Sequence, residues 1–76
     1  MPYDNRITGT LISDLRKEKG LTQDVLSGLA GISRSHLAMI EAGSINAGVD
    51  TLWRISEALG IRLSDLIRQV EEQSGV

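Results

Sequence analysis

The sequence predicts an all-α fold of five short helices, and three observations carry that prediction. Apolar residues recur at spacings of three and four rather than two, glycines fall at intervals where helices should end, and Pro2 is the sole proline, ahead of the first periodic segment. No alternation of the kind a strand needs survives past three or four residues.

The first helix is expected from about Ile7 to Lys19, with Leu11, Ile12 and Leu15 on one face and Gly20 following a Lys/Arg-rich last turn. Thr22 is placed to N-cap a second helix reaching about Ala30, and Asp24 in its first turn suits the positive end of the helix dipole. Gly31 turns the chain. Ser33 caps a third helix, about 33–42, whose inward residues Leu37 and Ile40 lie three apart and which Gly43 terminates. The fourth helix runs from about Val49 to Leu59, with Leu52, Ile55 and Leu59 inward, Gly48 as a weak cap and Gly60 closing it. The fifth, from about Leu63 to Glu72, carries Leu63, Leu66, Ile67 and Val70 on one stripe, and residues 73–76 have nothing to hold them.

Seventy-six residues suit a single small domain, 1–76, with its core within about 7–70. A domain this short buries only roughly 60% of its unfolded surface, so self-association is expected to supplement the core. Zero cysteines and one histidine exclude disulfides, thiolate metal sites and cysteine nucleophiles, and no cofactor is implied. No apolar run approaches a membrane span and the amino end lacks the pattern of a signal peptide, so a cytoplasmic protein without a membrane partner is expected. Eight Lys+Arg against ten Asp+Glu leave a formal charge of -2, which by itself argues against nucleic acid.

Residues 22–43 are the informative segment: two short helices joined by a tight glycine-containing turn. Counted from Gln23, a small residue, Ser27, falls at the fifth position, where the two helices must approach. Gly31 falls at the ninth, in the turn, and apolar Leu37 at the fifteenth, facing the core. Leu21-Thr22-Gln23, Gly31-Ile32-Ser33-Arg34 and Ile40-Glu41-Ala42-Gly43 together resemble the lambda-repressor-like, Cro-type (Xre-like) helix-turn-helix family of DNA-binding regulators. Leu15-Arg16 with Lys19-Gly20 before the motif, and Asp50-Thr51-Leu52 with Ala58-Leu59-Gly60 after it, extend the resemblance over about residues 7–70.

The resemblance implies a five-helix domain whose third helix enters the DNA major groove while the second lies across the backbone. At about 100° per residue, Ser35, Ala38, Met39 and Ala42 share the face opposite Leu37 and Ile40, flanked by Arg34 and His36. Arg34 and Ser35, followed by Met39 and Ala38, are therefore the expected base contacts. Gln23 resembles the family residue that bonds phosphate, and His36, Ser44 and Asn46 are expected near the backbone, with Lys17 and Lys19 supplying more distant attraction. His36 as a metal ligand or pH switch is the weaker reading, because no second imidazole exists.

Arg16 and Glu41 match a structural ion pair of the family that joins helix one to the end of helix three. Trp53 reads first as core and second as part of a subunit contact. The apolar stripe of helix five exceeds what one thin domain covers, so Leu63, Leu66, Ile67 and Val70, with Trp53, form the expected dimer surface. Ser13, Ser27, Asp24 and His36 match no nucleophile motif, so no catalytic set is expected. The thin basic footprint makes one subunit a weak binder, and the resemblance implies a homodimer on a pseudo-palindromic duplex, with recognition helices about 34 Å apart. A free-standing reader of this size, with no ligand pocket evident, resembles a phage Cro-like repressor or the controller protein of a restriction-modification operon. The competing reading is a protein-interaction module, antitoxin-like, that keeps the fold and binds DNA weakly.

Overall fold

The computed structural model describes residues 3–75; Met1, Pro2 and Val76 lie outside them. Five helices follow one another: α1 (Asn5–Glu18), α2 (Gln23–Ala30), α3 (Arg34–Glu41), α4 (Val49–Leu59) and α5 (Leu63–Gln73), with no strand among the described residues. Helix α1 begins two residues before the position that apolar periodicity indicates. The reason is local: Asp4 has extended backbone geometry and its carboxylate accepts a hydrogen bond from the Arg6 amide at 2.9 Å, which caps the helix there. At the other end of the chain, α5 includes Gln73 and is closed by Ser74, so the carboxyl-terminal segment holds structure further than its composition suggests.

Side-chain caps set the helices of the central motif. Thr22 Oγ1 accepts from the Val25 amide at 3.2 Å, and Ser33 Oγ accepts from the His36 amide at 3.0 Å. Between them, Gly31 closes α2 with φ of 71°, a left-handed conformation that a side chain would strain. The turn can therefore be short, and it sets the angle between α2 and α3.

One core joins all five helices. Ile12 from α1, Leu26 from α2, Leu37 and Ile40 from α3, Ile55 and Leu59 from α4, and Leu66 from α5 are all fully or almost fully buried. Helix α2 packs mainly on α4 and α1 on α3, while α5 rests against α1 and α4. The α1–α3 crossing is close because of Gly9: a Cβ there would fall against the Ile40 and Glu41 carbonyl oxygens, the latter at 2.6 Å. Sequence periodicity gave no sign of this contact, because a helical glycine carries no apolar signal.

Two expectations about the surface are corrected by this packing. Trp53 is 56% exposed and takes no part in the core. Conversely, Leu66 and Val70, expected on a subunit surface, are buried within the chain's own core at 0% and 5% exposure. Of the α5 stripe, only Ile67 is exposed and Leu63 half-buried. No helix among the described residues is long and apolar enough to cross a membrane.

Candidate nucleic-acid interface

Burial of Leu37 and Ile40 fixes the rotation of α3. With both side chains in the core, the helix presents Arg34, Ser35, Met39 and Ala42 to solvent, with His36 and Ala38 half-buried at the edges of that face. Arg34 and Ser35 occupy the first turn of α3. The face is nearly flat: serine, two alanines and one flexible methionine offer little to hold a duplex surface away. Ser44 and Asn46 are exposed in the connection from α3 to α4.

Behind this face lies a buried polar network. Arg16 Nε is 2.8 Å from Glu41 Oε2 and Arg16 Nη2 is 2.9 Å from Glu41 Oε1, a bidentate pair whose side chains are only 12% and 6% exposed. The third nitrogen of the same guanidinium, Nη1, donates to the Leu21 carbonyl at 3.0 Å, so one side chain of α1 ties down both the entry to α2 and the end of α3. Gln23 completes the network by donating from Nε2 to Glu41 Oε1 at 3.1 Å. The amide of Gln23 is thus held at the start of α2, beside first-turn backbone N–H groups that have no carbonyl one turn behind them. Gln23 and Glu41 lie too far apart in the chain for helical spacing to reveal this contact.

Burial pushes the Glu41 carboxyl up, but hydrogen bonds from Arg16 and Gln23, together with the guanidinium charge, outweigh it and hold the carboxyl below the ordinary value of 4.5. A carboxylate depressed in the folded state contributes stability that is complete above its unfolded value and lost as pH falls through the folded one. Urea titrations between pH 7 and pH 3 should therefore show a stability loss below about pH 4.5 that Glu41→Gln reduces. An acid limb identical in the two proteins would assign the loss to other carboxylates.

The charge of the motif is sparse. Across residues 22–48, Arg34 is the sole lysine or arginine, and the acids are Asp24 and Glu41, the latter taken by Arg16. Arg34 Nε lies 3.4 Å from Asp24 Oδ1, across the Gly31 turn, with both side chains largely in solvent.

A rigid helix pair seated on a five-helix core, with its second helix outward and capped, defines a lambda-repressor-like DNA-binding domain. A helix-turn-helix family profile matches residues 12–66, most of the chain, and the chain belongs to that family of DNA-binding, non-enzymatic regulators. It is similar to an HTH-type transcriptional regulator of Sinorhizobium fredii, with 34% identity over 67 residues covering 88% of this chain and 87% of that one. It is also similar to the control protein C.MunI of a Mycoplasma species, with 35% identity covering 86% of this chain and 89% of the relative. The immunity repressor of Bacillus phage phi105 is 42% identical over 59 residues, or 78% of this chain, which spans only 41% of that repressor. Among solved structures, the restriction-modification controller protein C.AhdI from Aeromonas hydrophila superposes with a TM-score of 0.80 at 32% identity, covering 83% of this chain and 96% of that one.

Proposed function

We propose that the protein regulates transcription as a homodimer bound to a pseudo-palindromic operator, with α3 of each subunit in the major groove. The observation that carries this reading is the rotation of α3, which buries Leu37 and Ile40 and leaves Arg34, Ser35 and Met39 exposed on the face that would meet base edges. Arg34 meets a base bidentately, Ser35 hydrogen-bonds a neighbouring base, and Met39 and Ala38 contact thymine methyl groups. Gln23, the first-turn amides of α2, His36, Ser44 and Asn46 meet phosphates and set the register. The likeness to controller proteins of similar length supports a role in which protein concentration sets occupancy.

Two subunits are needed because one motif brings so little positive charge. A groove between α4 and α5, lined by exposed Trp53 and Ile67 with Ile61 and Leu63, suits a second copy of the chain. Arg62, Glu57 and Glu71 also line it and are exposed, so a two-fold contact can pair opposite charges while the apolar residues meet. Leu66 and Val70 support that face from the core side and are not part of it.

Selection of duplexes from a random pool, followed by titration at two salt concentrations, tests the reading. A preferred, two-fold-related sequence is expected, with a log–log salt slope of several units per dimer. A flat, sequence-blind response would leave the fold as a partner-binding module instead. On the selected duplex, Arg34→Ala should weaken binding by about 1–3 kcal/mol. Native affinity in that variant would remove Arg34 from the base contacts.

A further inference from the structure

We propose that Asp24 is a specificity-determining residue: it stays paired with Arg34 on DNA, steadies the guanidinium for a base edge and offsets its charge toward phosphate, and so suppresses binding to arbitrary duplex. The inference rests on the DNA-binding reading above and adds a residue to it. Asp24 lies in the first turn of α2, where the helix dipole favours a carboxylate, but the dipole does not account for its placement opposite Arg34. The two side chains are ten positions apart and meet across the turn that joins the helices of the motif.

The charge arithmetic of the motif makes this pairing consequential. Glu41 is consumed by Arg16, Arg34 is the single strong cation of residues 22–48, and Asp24 is the acid left to oppose it. The face offered to DNA is therefore neutral while the pair is closed, and the phosphate attraction that drives sequence-independent binding is largely cancelled. The contact, 3.4 Å long between side chains 65% and 74% exposed, is made through Arg34 Nε, so the two terminal nitrogens can meet a base edge without breaking it. On arbitrary duplex the paired guanidinium draws phosphate weakly, because Asp24 offsets its charge. On the right sequence a guanine edge gives two aligned acceptors to the terminal nitrogens while Asp24 keeps Nε, which fixes the direction of the guanidinium. Asp24 thus lowers attraction on every sequence and offsets that loss, by holding the guanidinium in place, only on those with the right base edge.

The test compares the native chain, Asp24→Asn, Arg34→Ala and the double variant by fluorescence anisotropy, on the duplex selected by the native chain and on a scrambled duplex of equal composition. Far-UV circular dichroism verifies that each variant is folded. Asp24→Asn should tighten binding to the scrambled duplex roughly three- to tenfold and to the selected duplex by less than about twofold, so that discrimination falls. In the Arg34→Ala background the same change should alter scrambled-duplex binding less than about twofold, because Asp24 acts through Arg34. Asp14→Asn, the same charge change on the exposed side of α1, should leave discrimination at the native value. Equal tightening on both duplexes, an undiminished effect without Arg34, or the same loss of discrimination from Asp14→Asn would each overturn the proposal. A native chain that prefers no duplex would sink the DNA reading itself, and that result appears in the native arm alone.

Discussion

Arg16→Met is expected to destabilise the protein by about 3–5 kcal/mol, because it strands the Glu41 carboxylate in a site where the Gln23 amide and the Ser13 hydroxyl remain to meet it but no cation does. The Leu21 carbonyl loses its guanidinium donor in the same substitution. A chain of this length has a total stability of roughly 4–11 kcal/mol, so the substitution removes about a quarter of it or more and lowers the unfolding midpoint to match. The double variant Arg16→Met/Glu41→Leu should recover most of the loss, since removing both charges with similar volumes abolishes the desolvation penalty along with the attraction. Urea unfolding followed by far-UV circular dichroism measures both; fluorescence is a poor probe here because the single tryptophan is already largely in water. A single variant destabilised by less than about 1 kcal/mol would give the pair the worth of a surface contact. Recovery in the double variant would also separate the pair's structural role from the Gln23 tether, because the double variant loses the acceptor for Nε2 while keeping the fold.

What the sequence revealed and what it hid divide along a physical line. Helix boundaries were legible wherever the signal is local: Thr22, Ser33, Gly31 and Gly60 cap or close their helices through atoms within a few residues of themselves. Apolar spacing points to a start for α1 two residues late, because Asp4, whose cap is equally local, carries no apolar signal. The outward face of α3 was legible because two inward residues fix the rotation of a short helix. Contacts between side chains on different helices were another matter. Arg16 with Glu41 came from family likeness alone, while Gln23 with Glu41 and Asp24 with Arg34 depend on the angle at which α2 meets α3, which no spacing encodes.

Trp53 shows a different kind of miss. At about 100° per residue it lies a full step off the arc through Leu52, Ile55 and Leu59, while Ser56 lies near that arc and is buried, its hydroxyl donating to the Leu52 carbonyl at 2.7 Å. Residue type pointed Trp53 inward; angular position pointed it outward, and position prevailed.

The same angular reasoning separates two neighbours on α5 that hydrophobicity alone could not distinguish. Leu66 and Ile67 are about 100° apart around the helix; Leu66 is fully buried against the chain's own core, whereas Ile67 is 39% exposed and lines the α4–α5 groove. Leu66→Glu should therefore act on the monomer: an unpaired carboxylate placed in the core, with the apolar contacts of a leucine lost, is expected to remove more than about 4 kcal/mol and abolish the helical signal. Ile67→Glu should leave that signal intact, because its side chain already reaches water. If the groove holds a second copy, Ile67→Glu should instead move the sedimentation of the folded protein from dimer toward monomer and weaken operator binding with it. Read together, the variants dissect a stripe of four apolar residues into those that fold the chain and those left over for a partner. Loss of helix in both would draw Ile67 into the core, and a folded dimer that survives Ile67→Glu would shift the subunit contact away from α5, toward the other exposed apolar pair, Val25 and Leu29 on α2.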